Sequence, residues 1–440
     1  MIWFGKENIE EIDSCREYSE ISGQASKLNA IGLDIVKKSA TLRALSRAAL
    51  NYKKRRQYIK RTKGVKTDSK VILFSTFDGR SYSDSPKAIY EYMLSNPEFD
   101  DYTFIWALRA PAKHKELLYN KNTYIVQPST PQYDIACKRA KYWFFNFRIA
   151  DYIFPDENQV YVQLWHGTPL KKLGYDINKS NNAMNSQKEI RAKYRIDAKK
   201  FSYILAPSDF AKERFVSAWN LKAMGKEDSV LVEGYPRNDS LINHTIDDIK
   251  TEKECLKLPE NKKIILYAPT WRDNQHSSEL GYTYTPEIDF DKLKAELSEE
   301  YIILFRAHYL VANSFDFDKY KGFVYDVSWV EDVNSLYIIS DLLITDYSSV
   351  FFDYANLKRP IIFYMYDYES YANETRGFYI EKNELPGAIV KTPDELIKEI
   401  KAVDYKNFDF DKQYPNFAEK FNPLDDGQAS KRVTDIIIKK

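Results

Sequence analysis

From residue 70 onward the sequence alternates short apolar runs with stretches of helical periodicity, a pattern that few architectures accept. The runs VILFST, FIWAL, TYIV, YWFFN, YVQLW, YILAPS and VLVEGYP come first, and a polar, acidic segment from Asn243 to Lys262 follows. A second series then reads KIILYAPTW, YIILFRAH, GFVYDV, DLLITDYSS, PIIFYMY and AIVK. Strands buried on both faces read as continuous apolar runs, and their alternation with helices predicts βαβ units around parallel sheets. PDELIKEIKAV after Thr392 is one such helix, with i, i+3, i+4 apolar spacing and an acidic first turn.

The fold class predicted is therefore α/β, with two Rossmann-type doubly wound domains facing a cleft, the GT-B-like arrangement. The expected boundaries are 67–242 for an acceptor-side domain and 243–440 for a nucleotide-donor domain whose last helix packs back. A chain of 440 residues is long enough for two separate cores.

Residues 1–66 differ. Lys37 to Lys66 contains twelve Lys or Arg and no acidic residue, and Ile35, Leu42, Leu45, Ala49 and Tyr52 fall at helical spacings. A basic, partly amphipathic helical arm is expected, suited to an anionic membrane surface. The formal net charge is only +1, so long-range attraction to nucleic acid is not expected, and any pull toward a charged surface must be local. Cys15, Cys137 and Cys255 are scattered and odd in number, which indicates neither a disulfide framework nor a zinc site. The N-terminus lacks a signal-peptide pattern and no run of 18 apolar residues occurs, so a peripheral protein on the cytoplasmic face of the membrane is expected.

Open α/β sheets place ligands beyond the carboxyl ends of their strands, and the polar clusters of this sequence sit there. YVQLW runs into His166-Gly167-Thr168-Pro169-Leu170-Lys171-Lys172. Glycine lets backbone N–H groups approach an anion, Thr168 adds a donor, and an imidazole takes a proton from an attacking hydroxyl near neutral pH. In the second half, strand ends carry Pro269-Thr270-Trp271-Arg272, Arg306-Ala307-His308 and Asp346-Tyr347-Ser348-Ser349, with Asp353 one helical turn on. Ser348 and Ser349 would open a helix whose free N–H groups favour phosphate, and Arg306 and His308 would neutralise a diphosphate. Taken alone, the serine pair also reads as an ordinary helix N-cap.

LWHGTPLKKLGYD, GYPRND, YAPTWRD, FRAH and SLYIISDLLITDYSSVFFDYANLKRPIIFY together resemble the CDP-glycerol glycerophosphotransferase family, the teichoic acid primases and polymerases of Gram-positive cell walls. The resemblance covers roughly residues 70 to 430. It implies transfer of glycerol phosphate, or another polyol phosphate, from CDP-glycerol or CDP-ribitol to a hydroxyl of an undecaprenyl-linked acceptor, with release of CMP. By motif, His166 is the implied general base, and Gly167, Thr168 and Pro169 shape the donor's phosphate pocket. Arg237, Pro269 and Thr270 approach the donor from the hinge side. Arg306 and His308 lie on the diphosphate, with His308 helping CMP depart; Ser348 and Ser349 bind phosphate oxygens, and Asp353 binds a donor hydroxyl or orients neighbours.

No cofactor and no catalytic metal are expected, and Asp316 and Asp318 read as surface charge. His114, His244 and His276 read as solvated, and Trp271 and Tyr347 as pocket packing. The alternative is a GT-B glycosyltransferase using a nucleotide sugar, separated by its leaving group, a nucleoside diphosphate. A catalytically idle membrane-surface scaffold is disfavoured because His166, Arg306, His308 and both serines are all present.

Overall fold

A computed structural model of the chain describes residues 3–13, 15, 40–177, 186–270, 276–277, 281–282, 288–306, 315–369 and 377–439. The chain forms two compact units, one comprising Met1–His166, Lys172–Arg237 and Gln428–Lys440, the other Gly167–Lys171 and Asn238–Gly427. The main passage from first to second falls at Arg237/Asn238, slightly before the 242/243 boundary read from the sequence. There the Asn238 amide donates to Asp425 at 2.7 Å, anchoring the segment in the second unit.

The first unit is built on strands β1 (Asp68–Ser75), β2 (Thr103–Ala107), β3 (Thr123–Val126), β4 (Ala140–Phe145), β5 (Val160–Gln163), β6 (Tyr203–Ala206) and β7 (Val230–Val232). They pair in parallel in the order β3-β2-β1-β4-β5-β6-β7. Five consecutive residues of β1, Val71 to Ser75, are buried, as expected of a strand covered on both faces. Phe74 on β1 stacks on Trp106 at 5.3 Å and on Phe144 at 5.6 Å, so this core is aromatic. Truncating the fully buried Trp106 to alanine is worth about 3–5 kcal/mol by the usual cavity arithmetic. Phe4 exchanges backbone hydrogen bonds with Ile125 at 2.8 and 2.9 Å, which covers the β3 edge, and Ile12 is buried close by in the same core.

The second unit carries β8 (Lys263–Ala268), a hairpin of β9 (His276–Ser277) and β10 (Gly281–Tyr282), and then β11 (Tyr301–Phe305), β12 (Val324–Asp326), β13 (Leu342–Thr345), β14 (Ile361–Tyr364) and β15 (Ala388–Val390). Its main sheet is parallel in the order β12-β11-β8-β13-β14-β15. The helix Pro393–Ala402 starts where its sequence says it should: the Thr392 hydroxyl accepts from Glu395 N at 3.2 Å, and Glu395 answers with a bond from Thr392 N. Leu396, Ile397 and Ile400 then form its buried stripe. All thirteen strands of the two main sheets coincide with the apolar runs read from the sequence. The last helix, Ala429–Ile438, belongs to the first unit, where Val433 and Ile437 join the core.

The basic arm is a 22-residue helix, Ala40–Arg61. One face engages the first unit. Arg43 and Arg47 pair with Glu189 at 3.2 and 3.1 Å, Arg61 with Asp134 at 2.8 Å, and Tyr58 is buried. The Arg43 hydrogen bond, foremost, holds the Glu189 carboxyl down at about 2. The opposite face leaves Leu42, Leu45, Tyr52 and Ile59 exposed, the last three by 62, 66 and 55%. Ile35, Lys37 and Lys38 lie outside the described residues.

One sequence expectation is corrected here. His114, read as solvated, is only 7% exposed, because a non-helical kink at φ −130°, ψ 26° within the segment Pro111–Tyr119 turns it inward. His244 is half-buried, whereas Asp316 and Asp318 are exposed as expected.

Candidate active site

In the first unit the strand ends of β1, β4 and β5 bring together residues far apart in sequence. His166 follows β5, and its Nδ1 bonds the main-chain oxygen of Asn146, the residue after β4, at 2.8 Å. A carbonyl only accepts, so Nδ1 carries the hydrogen and Nε2 keeps its lone pair. The residue is exposed to solvent, yet its ring is packed against Trp165 and Phe77, which removes part of its hydration. Desolvation pushes its pKa below the ordinary histidine value; the Asn146 bond and Asp84 act against this, while Arg237 and Arg80 act with it. A neutral imidazole with a free Nε2 is a competent proton acceptor.

The backbone around His166 is constrained. Trp165 adopts φ 52°, a left-handed conformation that costs roughly 1–2 kcal/mol for a non-glycine residue. Gln163 offsets this: its side-chain oxygen accepts from Trp165 N at 3.0 Å while its amide donates to Phe147 O and the Tyr161 hydroxyl, each at 2.8 Å. Trp165 then stacks on His166 at 4.3 Å and packs edge-on against Trp219 at 4.9 Å. On the other side Phe77 meets the imidazole edge-on at 5.8 Å, from a left-handed turn at Phe77, Asp78 and Gly79. Gly79 is required there, since a Cβ would lie 2.8 Å from the Pro128 ring and 3.0 Å from Ala107 O.

Arg237 is 9% exposed, and its guanidinium pairs with Asp84 at 3.1 Å over the face of Tyr235 at 5.1 Å. Asp84 itself is buried and sits at φ 62°.

The residues after His166 belong to the second unit. Gly167 takes φ 145°, Thr168 is 3% exposed, Pro169 is buried, and Leu170 O accepts from Tyr379 N at 2.8 Å. In the sheet of that unit, the strand order reverses between β8 and β13, the point beyond whose strand ends open α/β sheets generally bind ligands. Asp346 spans this point, accepting from Thr270 N at 2.8 Å and from Tyr347 N. Thr345 Oγ1 donates to Ala268 O at 2.8 Å, locking the two strand ends together. Pro269, Thr270, Ser348 and Ser349 are half-buried around them. The helix Val350–Tyr354 begins one residue after Ser349, whose hydroxyl makes no capping bond to it, and Asp353 is buried at 4% exposure.

Arg306 follows β11, with its N bonded to Tyr267 O at 2.9 Å and Nη1 to Val330 O at 2.5 Å. Burial lowers its pKa, against Tyr337 and Asp332. A guanidinium remains charged even so. Tyr347 is buried and donates to Asp367 at 2.9 Å, consistent with packing. His308 and Trp271 lie outside the described residues, as do Arg272 and Ala307. Among the described residues no group of three or more His, Cys, Asp or Glu is placed to hold a metal ion.

Sequence reading alone did not single out Asn146, Gln163 or Asp84. Asn146 had one usable signal, a polar residue directly after the apolar run YWFF; Gln163 and Asp84 had none.

Two doubly wound parallel sheets, each with polar clusters at its strand ends, define the GT-B-like class of α/β proteins. A profile of the family described as CDP-Glycerol:Poly(glycerophosphate) glycerophosphotransferase matches residues 57–439. The chain belongs to this family. It is 38% identical over 372 residues to the teichoic acid glycerol-phosphate transferase of Staphylococcus aureus, covering 84% of this chain and 93% of that one. It is also 38% identical over 377 residues to the teichoic acid poly(glycerol phosphate) polymerase of Bacillus subtilis, covering 84% of this chain and 49% of the relative. The chain thus spans about half the length of that polymerase and of its Staphylococcus epidermidis counterpart. Among solved structures it matches the wall teichoic acid polymerase TagF with a TM-score of 0.80 at 36% identity, over 91% of this chain and 96% of that one.

Proposed function

We propose that this protein transfers glycerol phosphate from CDP-glycerol to a hydroxyl of a lipid-linked acceptor and releases CMP, in teichoic acid or related cell-surface polymer synthesis. The observation that carries the reading is His166 held through Nδ1 by the Asn146 main-chain oxygen at a strand end, which leaves Nε2 as the nitrogen that can accept a proton. The acceptor O–H gives its proton to Nε2 as its oxygen forms a bond to the β-phosphorus. The bond from that phosphorus to the bridging oxygen breaks, and the electron pair leaves with CMP. Phosphoryl-group transfer of this kind depends mainly on positioning and on neutralising the non-bridging oxygens. Arg306, Thr270 and the Ser348-Ser349 pair supply the cation and donors, Gly167, Thr168 and Pro169 shape the pocket, and Asp353 orients the donor. His308 assists the leaving CMP by motif, and Arg237 acts through its pairing with Asp84.

Glycerol rather than ribitol is favoured because relatives named for glycerol phosphate reach 38 and 39% identity, whereas those named for ribitol phosphate lie at 33, 31 and 30%. Contact with the cytoplasmic face of the membrane is part of the proposal. It rests on the exposed Leu45, Tyr52 and Ile59 of the helix Ala40–Arg61, flanked by exposed Lys53, Lys54, Arg56 and Lys60. Among the described residues no helix is long and apolar enough to cross a membrane. Purified protein given CDP-glycerol or CDP-ribitol separately, with a lipid-linked disaccharide acceptor, tests the whole reading through CMP release and product length. Absence of CMP with both donors, together with nucleoside diphosphate release from a nucleotide sugar, overturns it in favour of a glycosyltransferase.

A further inference from the structure

In the first sheet the strand order reverses between β1 and β4, the point beyond whose strand ends open α/β sheets generally bind ligands. Asn146 stands at this point, immediately after β4, and is fully buried. Its Oδ1 accepts from Phe77 N, just beyond the end of β1, at 2.8 Å. A main-chain N–H requires an acceptor, which fixes the amide orientation and places Nδ2 on the remaining position. That Nδ2 is buried and has no hydrogen-bond partner among the described residues. Buried amide donors are almost always paired, and a lone one in the interior is costly. The main-chain oxygen of the same residue holds the His166 ring. One residue therefore joins the switch point of the sheet, the proton acceptor and an unused donor.

We propose that Asn146 is a substrate-binding residue of the acceptor subsite, its Nδ2 donating to an oxygen of the acceptor's terminal polyol phosphate unit. This rests on the proposed role of His166. Bound there, the acceptor takes up the unpaired donor and lies beside the imidazole that removes its proton, so recognition and proton transfer are set by a single strand end. A polar group built to pair with a substrate oxygen discriminates strongly against ligands that leave it unpaired.

The test uses a short soluble glycerol phosphate oligomer as the probe and the Asn146→Asp variant of the full chain. Aspartate keeps an oxygen for Phe77 N but, when ionised at pH 8, has no proton to donate. If Asn146 only anchors the Phe77 turn, the variant binds the oligomer as wild type does. If Nδ2 is a ligand donor, affinity for the oligomer falls by about tenfold or more while CDP-glycerol affinity changes far less. A crystal structure of the wild-type protein with the oligomer is the second arm and does not depend on the variant folding. A ligand oxygen within about 3.2 Å of Nδ2 is expected. Wild-type affinity in a folded variant, or an Nδ2 without ligand contact in that complex, overturns this inference alone. No binding of the oligomer by wild type overturns this inference, whereas the transfer reading under the proposed function stands or falls on CMP release with the lipid-linked disaccharide acceptor.

Discussion

Replacing Asp84 by alanine removes a carboxylate that pairs with the buried Arg237 guanidinium. The pair is 3.1 Å long, with side-chain exposures of 9% for Arg237 and 5% for Asp84, so solvent cannot screen the loss. Removing one partner of a buried ion pair typically costs about 3–5 kcal/mol. The Tyr235 face, 5.1 Å from the guanidinium, remains as a partial partner, which favours the lower end of that range. For units of this size each kcal/mol moves a melting midpoint by about 2–4 °C, so a drop of roughly 6–12 °C is expected in a thermal melt followed by tryptophan fluorescence. Asp84 also sits at φ 62°, where glycine is unstrained and alanine is not. Asp84→Gly should therefore be more stable than Asp84→Ala by about 1 kcal/mol, although both lose the pair. The pair reaches the chemistry as well. Asp84 raises the His166 pKa and Arg237 lowers it, so losing the carboxylate moves that pKa further down. In its proposed role His166 works as the neutral base, a form lost as pH falls through its pKa, so the acid limb of the CMP-release profile should shift to lower pH. A stability loss under about 1 kcal/mol with an unmoved acid limb would refute the reasoning.

His166→Ala should leave the melting midpoint near wild type and reduce CMP release by about 10²-fold or more; retention of a tenth of the activity removes the base assignment. In wild type the acid limb should lie below about 6.5, the ordinary histidine value, and a limb above it contradicts the desolvated ring. Arg306→Ala should weaken donor binding by about 1.5–3 kcal/mol and Ser349→Ala by less, read as donor KM, and unchanged kinetics in the Arg306 variant contradict its placement. On the arm, Leu45→Glu combined with Ile59→Glu should abolish co-sedimentation with anionic vesicles, and about 1 M salt should weaken it in wild type by shortening the screening length to about 3 Å. Equal sedimentation of the double variant would move the membrane contact elsewhere.

The strands, the helix start at Thr392 and the polar strand ends were legible in the sequence because each is written locally. VILFS and KIILYA are apolar without alternation because parallel strands are covered on both faces, and Thr392 with Glu395 marks a helix start within four residues. His166 and Arg306 stood out because polar residues directly after such runs must lie at the carboxyl edge of a sheet. The inward turn of His114 was not legible, since it depends on a kink that no side-chain pattern announces. Nor was the outward face of the arm helix fully determined: Arg43, Arg47 and Arg61 look like free charges in the sequence, yet each is spent on a carboxylate from another part of the first unit.

Only the tertiary structure decided which groups each strand-end residue meets. Sheet order puts β4 between β1 and β5, and this adjacency, set by long-range packing, brings the Asn146 carbonyl to His166 and the Asn146 amide to Phe77. Asp84 meets Arg237 across 153 positions of sequence for the same reason. Local patterns fix which backbone a segment prefers; which segments become neighbours is fixed by how the whole sheet buries its faces, and the tautomer of His166 and the charge around it follow from those neighbours.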